Sequence, residues 1–269
     1  MTYIKILAHL ILLCTLATGA IARDVSPEVV KDLAPSGRLR AAINFGNPIL
    51  AHKDPVTGEA RGISVDLARA LGQKLGVPVD LVTFDAAGKT FAALKDHAWD
   101  VAFLAIDPVR AKEISFTAPY VAIQGAYIVH ANSPYHMVED VDREGVRVAV
   151  GKGSVYDLFL TRALKHAQLV EAPTSPGALD LFLKDNLEVG AGIKQPVVEF
   201  AAAHPGLYVI PGQFMSIEQA VAIPVGHDVG LQYAQSFIEE MKSSGFVAKS
   251  LVANGQSETL VAPPSAAPH

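Results

Sequence analysis

The sequence predicts an α/β fold built on mostly parallel sheets, and three observations carry that prediction. Strand-like and helix-like patterns alternate along the chain. The segment Val101 to Ile106 (VAFLAI) is apolar at every position, as suits a strand covered on both faces. A helix–strand unit also recurs. Phe91-Ala-Ala-Leu-Lys-Asp runs into Asp100-Val-Ala-Phe-Leu-Ala-Ile106, and Leu181-Phe-Leu-Lys-Asp runs into Glu188-Val-Gly-Ala-Gly-Ile193.

Taken in order, Arg38 to Ile43 reads as a first buried strand. The segment Phe45 to Gly62 is rich in breakers, with Gly46, Asn47, Pro48, Asp54-Pro55 and Gly58. Ile63 to Leu75 reads as an amphipathic helix, because Ile63, Leu67, Leu71 and Leu75 recur every four residues while Asp66, Arg69 and Lys74 fall elsewhere. Gly76 is placed to end it. Val79 to Phe84 is a second strand, Thr90 to Leu94 opens a helix, and Val101 to Ile106 is the third strand. The pattern returns as a strand at Val146 to Val150, helices at Ser154 to Ala167 and Ala178 to Leu183, and a strand at Val189 to Ile193. Ile128 to Pro134 and Ala220 to Pro224 read as crossings between two halves. Val229 to Met241 and Phe246 to Val252 are helices returning to the first half, and Ser257 to His269, ending in APPSAAPH, reads as a disordered tail.

The first 22 residues have the grammar of an export leader. Lys5 precedes an apolar run from Ile6 to Leu16, and Ala20-Ile21-Ala22 fits a signal-peptidase site. The run is shorter than the roughly 20 residues a bilayer span needs. Cleavage would remove Cys14, the one cysteine, so disulfides and Cys metal sites are excluded from the exported chain. It would also take the formal charge from −5 to −6, since Lys5 is the only charged residue lost. A mildly acidic chain without a basic stripe is a poor nucleic-acid binder.

Two junctions carry residues suited to an anion. Asp107-Pro108-Val109-Arg110 follows the apolar strand, with Asp107 suited to an N-cap and Pro108 to a first helical position. Arg110 then lies at the carboxyl end of a strand, where α/β folds place ligands. Its guanidinium is a planar fork that matches a carboxylate, whereas an arginine in the first turn works against the helix unless an anion joins both. Gly151-Lys152-Gly153-Ser154 leads into the second such junction. Ser154 and Asp157 have capping-box spacing, and the remaining N–H groups could hold an anion or simply be capped. Tyr156 either joins that cleft or packs in the core. Gly88-Lys89-Thr90 marks a third strand-to-helix junction, at the rim.

Three stretches resemble the family-3 extracellular binding proteins, the periplasmic solute-binding components of amino-acid-type ABC importers. The first is Gly62-Ile-Ser-Val-Asp-Leu-Ala-Arg-Ala-Leu-Gly-Gln-Lys-Leu-Gly76. The second is Trp99-Asp-Val-Ala-Phe with Arg110-Ala-Lys-Glu-Ile-Ser-Phe-Thr-Ala-Pro-Tyr120. The third is Val146-Arg-Val-Ala-Val-Gly-Lys-Gly-Ser154. The resemblance spans roughly Gly37 to Val252. It implies a two-lobed periplasmic-binding-protein fold, with two mixed sheets flanked by helices and joined by a two-strand hinge. Lobe 1 would be residues 23–129 with 222–256, lobe 2 residues 130–221, and residues 257–269 the tail. It further implies a periplasmic monomer that holds a small carboxylate-bearing solute and passes it to an ABC transporter membrane permease, with no cofactor and no metal.

The resemblance places Arg110 on the solute's carboxylate, with Ser154 in support, and Asn44, Phe45 and Asn47 in a first-lobe loop. Phe45 would stack on the solute there, or else belong to the core. Departures matter as much. Phe103 and Ala105 replace the small hydroxyl residues that usually assist the arginine, and Val155 replaces a threonine. Ile193-Lys194 stands where an acidic residue usually meets an ammonium. Lys194 and Gln195 are thus expected to contact a solute that lacks a free α-amino group or carries a second acid. The alternative on the same scaffold is a cyclohexadienyl-dehydratase-like enzyme, for which Glu199, Glu218 and Asp85 are the candidate acids. No histidine pair has zinc spacing, and no nucleophile elbow or phosphate loop is present.

Overall fold

The computed structural model describes residues 25–265, so the expected leader lies outside the described residues. In chain order the elements are α1 (Pro27–Leu33), β1 (Leu39–Asn44), β2 (His52–Lys53), β3 (Ala60–Arg61), α2 (Ile63–Leu75), β4 (Val79–Phe84), α3 (Ala87–Ala92), β5 (Val101–Ala105) and β6 (Ile114–Phe116). There follow β7 (Val121–His130), β8 (Arg147–Gly151), α4 (Val155–Ala163), β9 (Gln168–Ala172), α5 (Ser175–Lys184), β10 (Val189–Ile193), α6 (Lys194–Ala203), β11 (Leu207–Val209), β12 (Met215–Pro224), α7 (Asp228–Ser243) and α8 (Phe246–Ala253). No helix among the described residues is long and apolar enough to cross a membrane.

Eight strands form one path, β4-β1-β5-β12-β7-β10-β8-β9, made of two similar half-sheets; β6 adds to β12 and β11 to β7, and β2 and β3 pair apart from it. In the first, β4, β1 and β5 run parallel and β12 closes the edge antiparallel. In the second, β9, β8 and β10 run parallel and β7 closes the edge antiparallel. The halves join where Val121–Gly125 of β7 pairs with Met215–Gln219 of β12. The crossing therefore sits earlier in both segments than 128–134 and 220–224. The reason is that both crossing strands are ten residues long, and each serves the junction with one end and a half-sheet with the other.

The repeated helix–strand unit is structural. Asp100 at the foot of β5 accepts from Arg40 at the backbone N, Nε and Nη2, and Arg40 Nη1 donates to the His97 carbonyl. Glu188 at the foot of β10 accepts from Arg147 in the same three ways, and Arg147 Nη2 donates to the Asn186 carbonyl. His97 and Asn186 are the two non-glycine residues with positive φ among the described residues. One clamp of arginine, carboxylate and left-handed turn thus aligns the central strand in each half.

Helix α2 spans the range its period predicts, buries Ile63, Leu67, Leu71 and Leu75, and ends at left-handed Gly76. Helix α4 stops at Ala163, short of the expected Ala167, because the chain must turn there to add β9. Helices α7 and α8 return to the first half, where Lys74 Nζ meets Glu240 at 2.8 Å and Asp66 accepts from Ser250 Oγ. The expected disordered tail is ordered through residue 265. Val261 bridges to Val121, Ala262 N donates to the Tyr120 carbonyl, and Lys242 Nζ donates to the Pro263 carbonyl at 2.9 Å. A proline-rich segment reads as disorder by composition, yet its carbonyls can satisfy a buried lysine.

Candidate functional site

The first wall of the site grows from the end of β5. The Asp107 carboxylate accepts from Val109 N at 2.7 Å and so fixes the turn that leads to Arg110, but it is not the N-cap expected from the sequence. The element that follows is a 3-10 turn, Arg110–Lys112, with Val109 at its N-cap position, rather than an α-helix, because the chain enters β6 within a few residues. A turn this short carries little macrodipole, so burial dominates the state of Arg110 instead. Its side chain is 1% exposed. Nη1 donates to the Ala105 carbonyl and Nη2 to the Gly153 carbonyl, both at 2.9 Å, while Nε has no partner. Burial lowers the guanidinium pKa to about 10, with the Asp107 charge acting in the opposite direction. Arg110 thus remains a cation at neutral pH, held in a desolvated place with a donor unused, a state that costs free energy until an acceptor arrives.

The facing wall belongs to the second half. Ser154 Oγ accepts from Asp157 N at 3.1 Å and caps α4, and the Asp157 carboxylate reaches back to Gly153 N at 2.7 Å. Burial raises the Asp157 pKa. The Tyr156 hydroxyl lies close to Ser154, Ser175 and Gly151 but forms no hydrogen bond with good geometry, and burial raises its pKa too. Asn47 Oδ1, from the loop after β1, is also buried without a partner. Arg110, Tyr156 and Asn47 line one cavity of about 30 Å³. It adjoins a second of about 210 Å³, and Gly46, Tyr156, Ser175 and Ile193 line both.

The two halves are closed on each other. A Cβ at Gly88 would lie 2.7 Å from the Lys152 carbonyl oxygen, and one at Gly153 would lie 2.7 Å from Gly88 Cα. The buried Asp107 also pairs with Arg162 of α4 at 2.7 Å. Three contacts therefore cross the cleft around Arg110: a glycine–glycine touch, an ion pair and an arginine–carbonyl bond.

Among the residues singled out from sequence, Arg110, Ser154, Val155 and Tyr156 line the smaller cavity, as do Asn44, Asn47 and Ala105. Asn44 Oδ1 is engaged with Gly46 N at 2.9 Å, which shapes the loop. Four residues stand elsewhere. Phe45 packs against the core, with Lys53 Nζ 5.6 Å from its ring. Phe103 is buried edge-on to Tyr120; it shares a strand face with Ala105 but lies two residues deeper in β5, where the core covers it. Lys194 and Gln195 line an outer groove, where Lys194 Nζ donates to Gln124 Oε1 at 2.8 Å and Gln195 Nε2 to Glu199. The acids Glu199, Glu218 and Asp85 are exposed, none lines the smaller cavity, and Asp85 pairs with Lys89. Among the described residues no group of three or more His, Cys, Asp or Glu side chains is arranged to hold a metal.

Sequence reading missed Gln219 and Ser175, which also line the smaller cavity. Ser175 was legible in principle, since Thr174-Ser175-Pro176 is an N-cap with proline in the first turn. Gln219 was not, because nothing local distinguishes a polar residue facing a cleft from one facing solvent.

The model of the bacterial extracellular solute-binding proteins, family 3, matches residues 40–252. No curated protein matches in sequence. Among solved structures, a mutant of ArgBP from T. maritima superposes with a TM-score of 0.71 at 21% identity, covering 84% of this chain and 98% of that one. An amino acid ABC transporter substrate-binding protein from Streptococcus pneumoniae bound to L-arginine gives 0.71 at 20% identity, covering 87% and 99%. An ancestral amino acid-binding protein described as a precursor of cyclohexadienyl dehydratase gives 0.69 at 22% identity, covering 83% and 97%. At these identities the likeness speaks for the fold, two lobes closing on a cleft.

Proposed function

The chain belongs to the bacterial extracellular solute-binding proteins, family 3, and from that premise we propose that it captures a small carboxylate-bearing solute between its lobes in the periplasm and delivers it to the permease of an ABC transporter. The observation that carries this reading is Arg110, a fully buried cation whose Nε has no partner, sharing one small cavity with two further unpartnered polar atoms, Asn47 Oδ1 and the Tyr156 hydroxyl. A carboxylate placed there supplies the acceptor that Nε lacks and the charge that the desolvated guanidinium needs. The relatives include proteins described as binding L-arginine, which is in keeping with a carboxylate-bearing solute.

In this proposal the hinge is the paired stretch 121–125 with 215–219. Lobe 1 comprises the β4-β1-β5 half-sheet with α7, α8 and the ordered tail, and lobe 2 the β10-β8-β9 half-sheet. The solute shifts the open–closed balance by as much as its affinity differs between the two states. Val155, Ser154 and Asn44 shape the wall, and Lys194 and Gln195 are left to the outer groove.

The test is thermal melting against a panel of carboxylates and their amides, with the unaltered chain and with Arg110→Ala. A binding solute raises the melting temperature of the unaltered chain, because it stabilises the folded state by an amount that grows with the logarithm of its concentration over Kd. That shift is expected to vanish with the amide and with Arg110→Ala. A solute that binds both variants equally would refute the assignment of Arg110.

A further inference from the structure

The two adjoining cavities differ in kind, and together they restrict the solute. We infer that the chamber takes a monocarboxylate that bears an uncharged apolar group of about benzene size and has no α-ammonium. This rests on the reading that Arg110 holds a carboxylate.

The smaller cavity, about 30 Å³, has room for a head group only. Its walls carry one cation, Arg110, and no aspartate or glutamate. An α-ammonium bound beside the carboxylate would sit next to a buried guanidinium with no counter-charge in that wall. The unpartnered Tyr156 hydroxyl and Asn47 side chain offer neutral hydrogen bonds instead. Like charges brought together in a desolvated space disfavour each other strongly.

The larger cavity continues from the smaller past Gly46, Tyr156, Ser175 and Ile193. Leu179, Pro196, Val197 and Phe200 contribute its apolar walls, and its volume is about 210 Å³. An apolar protein cavity of about 150 Å³ holds a benzene molecule, so a phenyl or branched alkyl group has room here. A second carboxylate on the solute would find no cation. Lys194, the nearest candidate from sequence, lies in the outer groove and donates to Gln124. The carboxylates Asp180 and Glu199 stand at the wall of the larger cavity and disfavour a second acid. Both are exposed and screened by water, so a cation on the solute gains too little from them to offset leaving water for walls that are otherwise apolar.

Titration calorimetry on the exported chain tests this with 3-phenylpropanoate, its amide, acetate, L-phenylalanine, glutarate and 4-guanidinobutanoate. The expected result is binding of 3-phenylpropanoate at least about 10-fold tighter than acetate, since each buried methylene is worth roughly 4-fold, and likewise tighter than L-phenylalanine, glutarate or 4-guanidinobutanoate, whose extra charge must leave water without a buried partner. The amide is expected not to bind. Tighter binding of L-phenylalanine, glutarate or 4-guanidinobutanoate overturns the inference, and if Arg110→Ala abolishes that binding the carboxylate reading stands without it. Equal binding of the acid and its amide overturns the carboxylate reading itself. Binding of none of these acids overturns the inference.

Discussion

Replacing Gly88 by alanine separates lobe closure from lobe stability. Gly88 lies in α3 of the first lobe, half-buried, with its Cα against Gly153 of the second. An added Cβ would sit 2.7 Å from the Lys152 carbonyl oxygen and 3.0 Å from Gly153 Cα, both backbone atoms that cannot swing aside. The first distance is about 0.7 Å short of ordinary contact, so the lobes must part by several tenths of an ångström. That separation falls on the Arg110 bond to the Gly153 carbonyl, now 2.9 Å, and on the Asp107–Arg162 pair, now 2.7 Å. Overpacking of this kind costs about 1–3 kcal/mol, here confined to the closed state, which is roughly a 5- to 150-fold loss of solute affinity. The open state has no such clash, and alanine in a helix is favoured over glycine by about 0.5–1 kcal/mol. Gly88→Ala is therefore expected to melt at the same temperature as the unaltered chain or higher without solute, while binding more weakly. Gly153→Ala should differ, because φ is +67° there and the left-handed conformation costs an L-residue about 1–2 kcal/mol in either state. Calorimetry gives the affinity, and small-angle scattering with saturating solute gives the compactness. Unchanged affinity of Gly88→Ala, with an equally compact liganded state, would refute the argument.

Two further outcomes follow from the contacts around Arg110. Arg162→Ala leaves the Asp107 carboxylate buried with the Val109 N–H as its remaining partner. Because Arg162 is itself 39% exposed, the cost is discounted to about 1–2 kcal/mol, or roughly a 5- to 30-fold weaker solute affinity. The difference from the unaltered chain should narrow in high salt, and equal affinities at low salt would contradict the ion pair's role in closure. For pH, the solute-free chain holds Arg110 with a pKa lowered to about 10. A lowered pKa on a base means the folded state sheds that proton first. Its burial therefore opposes folding below pH 10, and the opposition is relieved as pH rises through 10 toward the ordinary value of 12.5. A bound carboxylate raises the pKa again, so affinity should be flat from pH 7 to 9 and fall as pH rises through 10. An affinity that holds steady past pH 11, measured by calorimetry while circular dichroism shows the fold intact, would exclude the cationic form as the binding one.

The period of four in α2, the uniformly apolar β5 and the repeated helix–strand unit were legible in the residues alone, because each depends on local pattern and burial. So was Arg110 as a candidate, since its place after the apolar strand follows from chain order. The resemblance in three stretches supplied the two-lobed architecture that local pattern could not. Tertiary structure decided the rest. It showed that Phe103 lies deep in the core while Ala105, on the same face but at the strand's end, lines the cavity, and that Lys194 lines an outer groove. It joined Gly88 to Gly153 and Asp107 to Arg162, contacts between lobes whose residues lie more than fifty positions apart and carry no pairing signal in one sequence. It also left Arg110, Tyr156 and Asn47 short of partners on one small cavity. An unsatisfied polar atom can be recognised only once its surroundings have closed over it, so residue order names a candidate cation, and folding decides what that cation still lacks.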